Sequence, residues 1–208
     1  MPKKKIAVLI SGGGSNLQSL IDQQQAGFFS GEISLVISNN KNAYGLVRAE
    51  QNKIPALYIP KKDYPTNQLY DRKLIELFAE YDIDLIVLAG YLRYITPELI
   101  VKYSNKIINI HPSLLPAFGG QGFYGAKVHQ AVYARGAKVS GATVHFVDEG
   151  QDTGPIILQQ AIALDSKWQP EDIAKYVLRI EHQILPLAVK YFCEDRLTVK
   201  NNRVYIDL

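Results

Sequence analysis

Short apolar runs alternate with amphipathic segments through the first half of the chain. Residues 5–11 form a continuous apolar run that ends in glycines, which is typical of a strand buried on both faces of a parallel sheet. Helical spacing follows, from the common N-cap types Ser15 and Asn16 to about Gly27. The same pairing recurs over residues 33–38 and 43–52, 56–59 and 68–81, and 84–89 and 97–103. Strands that alternate with helices of this size predict an α/β fold with a doubly wound, mostly parallel sheet.

The pattern changes after a predicted strand at residues 107–110. Residues 112–126 contain two prolines and four glycines, and a long irregular loop in a compact domain is often functional. The remaining elements are predicted as a helix at 127–134, strands at 142–147 and 156–163, a helix from 170 to about 192, and a small edge strand at 204–207. No repeat or linker divides residues 1–208, so we expect a single domain.

Composition and charge narrow the class of protein. Hydrophobic residues make up 47% and charged residues 21%, as in folded globular proteins. The net charge is +3 and the basic residues are scattered apart from Lys3, Lys4 and Lys5, which argues against a nucleic-acid partner. No apolar stretch is long enough for a secretory signal or a membrane helix, and the single cysteine, Cys193, excludes an internal disulfide. We therefore predict a cytoplasmic protein that contacts neither nucleic acid nor a membrane.

A glycine turn joins the first strand to the first helix. Gly12, Gly13 and Gly14 precede Ser15 and Asn16 at the sheet edge where open α/β sheets bind ligands. Glycines let the backbone approach an anion, and the helix N-terminus attracts a phosphate. The spacing is neither that of a dinucleotide fingerprint nor that of a P-loop. A tight turn with an N-cap is the alternative interpretation.

Two polar residues lie at the end of the predicted strand 107–110. Asn109 and His111 are two residues apart, so in an extended strand their side chains point to the same side. An amide beside an imidazole is suited to stabilising an oxyanion and to moving protons, as acyl transfer requires. If Asp152, in the acidic turn 148–154, folds back to His111, its carboxylate would raise the histidine pKa above about 6.5. A structural histidine and a solvated turn are the alternatives.

The other histidines are interpreted separately. His145 lies in an alternating strand pattern and is interpreted as structural, whereas His129 follows the glycine-rich loop and is a candidate to face a ligand. Glu181 and His182 lie in the middle of the last helix, where a solvated face is the usual explanation. No cluster has metal-ligand spacing, so we expect no metal.

The glycine turn, the segment NIHPSLLP at residues 109–116 and the segment DTGP at residues 152–155 together closely resemble the folate-dependent formyltransferases, and among them the phosphoribosylglycinamide formyltransferases. The resemblance covers residues 6 to about 197. It implies a Rossmann-like formyltransferase fold and a one-carbon transferase of de novo purine biosynthesis. Such an enzyme moves the formyl group of 10-formyltetrahydrofolate to the amine of glycinamide ribonucleotide (GAR), by direct attack through a tetrahedral intermediate.

The resemblance also implies roles for individual residues. Asn109, His111 and Asp152 would be catalytic, with Asn109 and protonated His111 stabilising the oxyanion and Asp152 keeping His111 charged. GAR would bind to Gly14, Ser15, Asn16 and Glu181, in a mainly N-terminal phosphate site. The folate would bind in the C-terminal, catalytic half and along one earlier segment, at Leu92, Arg93, Tyr94, Ile95, Asn109, Val147, Asp148, Glu149, Gly150, Gln151 and Asp152. His129 would lie near the substrate.

The sequence departs from the family in two places. Asn67 stands where many members carry a basic residue that reaches the folate tail, and the loop at residues 119–127 is longer than in the bacterial and animal forms.

Two related families share the Asn, His and Asp trio but carry additional features that this sequence lacks. Formyltetrahydrofolate hydrolase has an N-terminal regulatory domain and a second histidine where Pro112 stands, and methionyl-tRNA formyltransferase has a C-terminal RNA-binding domain. A non-catalytic folate or nucleotide binding module is the other alternative. We expect a monomer or a homodimer.

Overall fold

The computed structural model describes residues 3–207. The strands are β1 (Lys5–Ile10), β2 (Glu32–Ser38), β3 (Ala56–Tyr58), β4 (Leu85–Leu88), β5 (Ile107–His111), β6 (Val139–Phe146), β7 (Ile156–Ala163), β8 (Leu197–Lys200) and β9 (Arg203–Ile206). The helices are α1 (Ser15–Gln25), α2 (Tyr44–Gln51), α3 (Asn67–Glu80), α4 (Pro97–Lys102), α5 (Ala126–Ala134) and α6 (Pro170–Cys193), with a 3-10 turn at Lys61–Asp63.

Seven strands form the central sheet in the order β3-β2-β1-β4-β5-β6-β7. The first five strands in this order are parallel, and β6 and β7 are antiparallel to their neighbours. Both faces of the sheet are covered. In β1, Val8 packs in the cluster that includes α1, α2, α5 and α6, whereas Leu9 packs in the cluster that includes α3 and α4. The predicted doubly wound, mostly parallel α/β sheet is therefore confirmed.

The strand order places a crevice beside β1. The chain leaves β1 toward β2 and β3 and then returns to β4 on the other side, so the loops after β1 and β4 diverge at the same sheet edge. This switch point is where open α/β sheets bind ligands. The loop after β5 follows on the same edge, because β4 and β5 are parallel neighbours.

The glycine turn after β1 is held against α2. Gly14, not Ser15 or Asn16, is the N-cap of α1, and it adopts a left-handed conformation with φ of 71°. A Cβ at Gly14 would lie 2.6 Å from the Cα of Gly45 on α2. Glycine is thus required here both by conformation and by the close approach of the two backbones.

The C-terminal segment differs from the prediction. The strand expected at residues 204–207 does not extend the central sheet, because β9 pairs with β8 in a separate two-stranded sheet. Asn201 and Asn202 connect the two strands with φ of 50° and 59°, as a tight hairpin turn requires. Strand β6 also begins at Val139, earlier than the predicted residue 142. Within residues 3–207, none of the helices has the length and apolarity that a membrane span needs.

Candidate active site

A cavity of about 530 Å³ opens at the carboxyl ends of β4 and β5. Most of the site residues predicted from the sequence line this cavity: Asn16, Leu92, Arg93, Tyr94, Ile95, Asn109, His111, His129, Val147, Asp148, Gly150, Gln151, Asp152 and Glu181. Four others, Gly14, Ser15, Asn67 and Glu149, are not among its lining residues. Since α1, β5, β6 and α6 are far apart in sequence, the sheet topology is what brings these side chains together.

The carboxylate of Asp152 lies at the centre of the polar wall. Its Oδ1 lies 3.5 Å from Nδ2 of Asn109, and its Oδ2 lies 3.5 Å from Nδ1 of His111. The backbone N–H of Gly120 donates to the same Oδ2 at 2.9 Å. Asp152 has a positive φ of 57°, a conformation that aspartate tolerates better than most residues. The turn after β6 therefore folds back to the end of β5, as the sequence hypothesis required.

His145 belongs to this group, although the sequence pattern suggested a structural strand residue. It pairs across from Asn109 in the antiparallel register of β5 and β6. Its Nε2 lies 3.1 Å from Nδ2 of Asn109 and 3.6 Å from Oδ1 of Asp152. Because Nδ1 lies 2.8 Å from the carbonyl oxygen of Phe146, which can only accept, Nδ1 carries the hydrogen and Nε2 accepts one from the Asn109 amide. His145 thus orients Asn109.

The environment of His111 lowers its pKa, contrary to the expectation from sequence. The side chain is 4% exposed, and this burial lowers the pKa below its ordinary value more than the charge of Asp152 and the carbonyl of Phe118 raise it. Nε2 donates to that carbonyl oxygen at 2.8 Å, so Nδ1 faces the carboxylate. The predicted net rise was wrong because it left desolvation out. The Asp152 charge opposes the burial effect without overcoming it.

Asp152 itself keeps a low pKa. Its partial burial alone would raise the pKa, but the imidazolium forms of His145 and His111, together with the Gly120 N–H, hold the pKa of this carboxyl below its usual range. Asp152 is therefore ionised at neutral pH. A fixed negative charge beside an imidazole and an amide is an arrangement suited to proton transfer and to charge stabilisation.

A second buried carboxylate, that of Glu181, lines the same cavity. Glu181 is 8% exposed, and its Oε2 accepts a hydrogen bond of 2.6 Å from Nδ2 of Asn16. Burial raises the pKa of Glu181 more than that hydrogen bond lowers it. The interpretation of Glu181 as part of a solvated face was wrong, because the packing of α6 against α1 covers it. A buried acceptor with one amide partner can bind a ligand hydroxyl.

The remaining candidates have separate environments. His129 is 6% exposed, burial lowers its pKa, and its Nδ1 has no hydrogen-bond partner among residues 3–207. Ser15 instead lines a smaller cavity of about 380 Å³ that also includes Arg48 and His182. Asn67 accepts a 2.8 Å hydrogen bond from Nη2 of Arg93.

Within the described part of the chain, no three His, Cys, Asp or Glu side chains are grouped as a metal site would need.

Comparison with known proteins assigns the chain to one family. Residues 4–189 match the family model described as formyl transferase. The chain therefore belongs to the formyl transferase family. One relative is the phosphoribosylglycinamide formyltransferase of Haemophilus influenzae, which is 42% identical over 204 residues, covering 98% of this chain and 94% of the relative.

Solved structures agree in fold. Glycinamide ribonucleotide transformylase 1 from Symbiobacterium toebii matches with a TM-score of 0.92 and 41% identity, over 98% of this chain and 94% of that one. A formyltetrahydrofolate deformylase from Pseudomonas syringae matches with a TM-score of 0.87 and 28% identity. This chain covers only 66% of the deformylase. The likeness is thus higher, and more nearly full-length, to the ribonucleotide transformylase.

Proposed function

We propose that this protein transfers the formyl group of 10-formyltetrahydrofolate to the amine of GAR, in de novo purine biosynthesis. One observation carries the proposal: Asn109, His111 and Asp152 converge on a single cavity that Glu181 and Asn16 also line. Such a cavity offers polar groups for acyl transfer and an acceptor for a ligand hydroxyl. The names of two relatives supply the ribonucleotide and the formyl transfer, and the name of the deformylase supports formyltetrahydrofolate as the donor.

The reaction is a direct acyl transfer. The GAR amine attacks the formyl carbon, a new C–N bond forms, and the carbonyl oxygen becomes an oxyanion. The bond between the formyl carbon and the folate nitrogen then breaks, and the proton lost by the amine passes to that folate nitrogen. No covalent bond to the protein is required.

Asn109 and His111 stabilise the oxyanion in this proposal. One amide hydrogen of Asn109 is fixed by His145, and the other is held only by the 3.5 Å contact to Asp152, so it can turn to the oxyanion. Burial lowers the pKa of His111 in the free protein, but a nearby oxyanion favours the imidazolium. The ionised Asp152 acts in the same direction. His111 takes its imidazolium proton from solvent before the attack and keeps it throughout, so its positive charge stabilises the oxyanion without entering the proton balance of the transfer.

The ribonucleotide would lie between α1 and α6. Gly14 caps α1 without a side-chain hydrogen bond, which leaves the first backbone N–H groups of the helix free to bind a phosphate together with Ser15 and Asn16. Glu181 would accept a ribose hydroxyl. The division into an N-terminal phosphate half and a C-terminal folate and catalytic half stays a proposal, and the Asn16–Glu181 hydrogen bond would join the two.

The folate would occupy the part of the cavity bounded by residues 92–95 and by the turn after β6. Backbone N–H and C=O groups along an exposed segment can pair with the donors and acceptors of a pterin ring. No metal enters the proposal. A cytoplasmic location and a monomeric or homodimeric state stay predictions from the sequence.

The loss of formyl donor tests this function. Purified protein is mixed with 10-formyltetrahydrofolate, with and without GAR, and the donor is followed by absorbance. We expect loss only when GAR is present. Equal loss without GAR would identify a hydrolase instead, and no loss in either mixture would contradict an enzymatic role and favour a binding module.

A further inference from the structure

The segment between β4 and α4 is fastened to one face of α3. Asn67, Tyr70 and Asp71 are spaced i, i+3 and i+4, so they share a face of the helix. Asn67 Oδ1 accepts a 2.8 Å hydrogen bond from Nη2 of Arg93, whose guanidinium carbon lies 3.8 Å from the centre of the Tyr70 ring. Asp71 Oδ2 accepts a 2.6 Å hydrogen bond from the backbone N–H of Thr96.

The support beneath Arg93 is rigid. The ring of Tyr70 is fully buried, and its hydroxyl donates to the carbonyl oxygen of Ile59 at 3.2 Å. The carboxylate of Asp71 is 1% exposed. Arg93 therefore rests on side chains that cannot move without disturbing the core, whereas Asn67, at the solvent side, is the one exposed member of the group.

Arg93 lacks the contacts that a purely structural arginine usually makes. Among residues 3–207 no carboxylate lies within 4.0 Å of its guanidinium, although Asp71 is on the same helix face. Its Nε and Nη1 are buried without a hydrogen-bond partner. A guanidinium with two buried, unmade hydrogen bonds carries a desolvation cost, which favourable contacts with its neighbours partly offset. The Asn67 amide and the Tyr70 ring are the contacts that do so.

The side chain of Arg93 sits in the middle of the cavity edge. Its neighbours Leu92 and Tyr94 are 61% and 44% exposed, and all of residues 92–95 line the cavity. The segment begins at a fixed point, since Leu92 N donates to Ser11 Oγ at 2.9 Å. It also ends at a fixed point, at the Thr96–Asp71 contact. Arg93 is the only side chain between these points that ties the segment to α3 by a hydrogen bond in the described structure.

We propose that Arg93 is a positioning residue for the folate co-substrate and that Asn67 holds it in place. The inference rests on the proposed function and goes beyond it, because it assigns Asn67 to the shape of residues 92–95 rather than to contact with the folate tail. When the Asn67 contact is lost, Arg93 can turn to solvent and the cavity edge loosens. Affinity for the folate then falls, while GAR binding, which does not involve residues 92–95, is unchanged.

Substitutions of Asn67 test the inference with little risk to folding, because the residue is exposed at the first turn of α3. Asn67→Ala removes the acceptor, and Asn67→Asp keeps an acceptor and adds a charge. Steady-state kinetics give KM for each substrate, and titration with tetrahydrofolate gives a Kd without turnover. A hydrogen bond to a charged group supports a rise of about tenfold in KM for 10-formyltetrahydrofolate in Asn67→Ala. Asn67→Asp should match or improve on the wild-type KM, with kcat and KM for GAR unchanged in both variants.

The matched control is Arg72→Ala, which removes a cation from the same helix. Arg72 pairs with Glu98 at 3.1 Å and both are well exposed, so no effect on either KM is expected. Unchanged folate KM and tetrahydrofolate Kd in Asn67→Ala would overturn the inference, and so would equal increases in both substrate KM values. If wild-type protein transfers no formyl group, the proposed function fails. Tetrahydrofolate binding that is strong in wild type and weaker in Asn67→Ala would still support the positioning role.

Discussion

Replacing Asp152 by Asn isolates the charge at the centre of the site. The substitution keeps the shape of the side chain and keeps an acceptor for the Gly120 N–H. It removes the negative charge that lies 3.5 Å from Nδ1 of His111. We expect a large loss of kcat with a small change in either KM, because the charge acts on His111 rather than on substrate binding.

The distance sets the size of the effect. Opposite unit charges 3.5 Å apart attract by about 5 kcal/mol at an effective dielectric constant of about 20. That attraction is the upper limit of the energy that the substitution removes, and its loss lowers the pKa of His111 because less energy then favours the imidazolium. Asp152 is 18% exposed, so solvent weakens the interaction. An expected fall in kcat of about 10²-fold lies within that limit.

The assay compares wild type and Asp152→Asn by donor loss in the presence of GAR, from pH 6 to pH 8.5. Because the missing charge lowers the His111 pKa, acid conditions restore part of the imidazolium, and the ratio of the two rates should shrink as the pH falls. Asp165→Asn, the same change at an exposed carboxylate away from the cavity, should leave the rate unchanged. A variant rate within about threefold of wild type at pH 7 would refute this role of the charge.

Three further substitutions test other parts of the site. Burial raises the pKa of Glu181. Its protonated side chain therefore stabilises the folded state at pH values below the unfolded-state pKa of about 4.5, and this stabilisation is lost as the pH rises through the folded-state pKa. Glu181→Gln should therefore raise Tm by about 2–4 °C at pH 7.5 but not at pH 4. It should also raise KM for GAR. An unchanged Tm at both pH values would contradict this account of Glu181. Gly14→Ala forces a Cβ to within 2.6 Å of Gly45, at a position where φ is 71°. Calorimetry should show a loss of about 1–3 kcal/mol in the free energy of unfolding. Gly12→Ala is the control and should leave stability unchanged, because nothing lies within 4 Å of its Cβ. His145→Leu removes the acceptor that orients Asn109, so kcat should fall about tenfold with KM nearly constant, and a wild-type kcat would remove His145 from the site.

The parts of the fold set by local patterns could be predicted from the sequence. Buried parallel strands read as continuous apolar runs, and the helices show their 3.6-residue period, so the alternation through the first half of the chain was visible. The site at the ends of β1 and β5 followed from the general position of ligands in such sheets. Asn109 and His111 could be paired because both lie on one strand at spacing two.

The remainder depended on contacts between distant segments. His145 enters the site through the register of β6 on β5, which the alternating pattern of β6 does not reveal. Glu181 is buried by α1, so a mid-helix carboxylate that suggested a solvated face is part of the cavity wall. Burial lowers the pKa of His111 more than the charge of Asp152 raises it, and the residues around His111 in the sequence do not reveal that burial. Strand β9 joined β8 because the Asn201–Asn202 turn closes a local hairpin.

Direct transfer of the formyl carbon can be measured with a labelled donor. 10-Formyltetrahydrofolate carrying ¹³C in the formyl group is mixed with GAR and a slight excess of enzyme over donor, and the quenched mixture is analysed by ¹³C NMR and mass spectrometry. Direct attack of the GAR amine predicts that the label appears on the glycine nitrogen of the ribonucleotide, with tetrahydrofolate in equal amount and no labelled protein. Label recovered as free formate, or attached to the protein, would contradict a direct transfer through Asn109, His111 and Asp152.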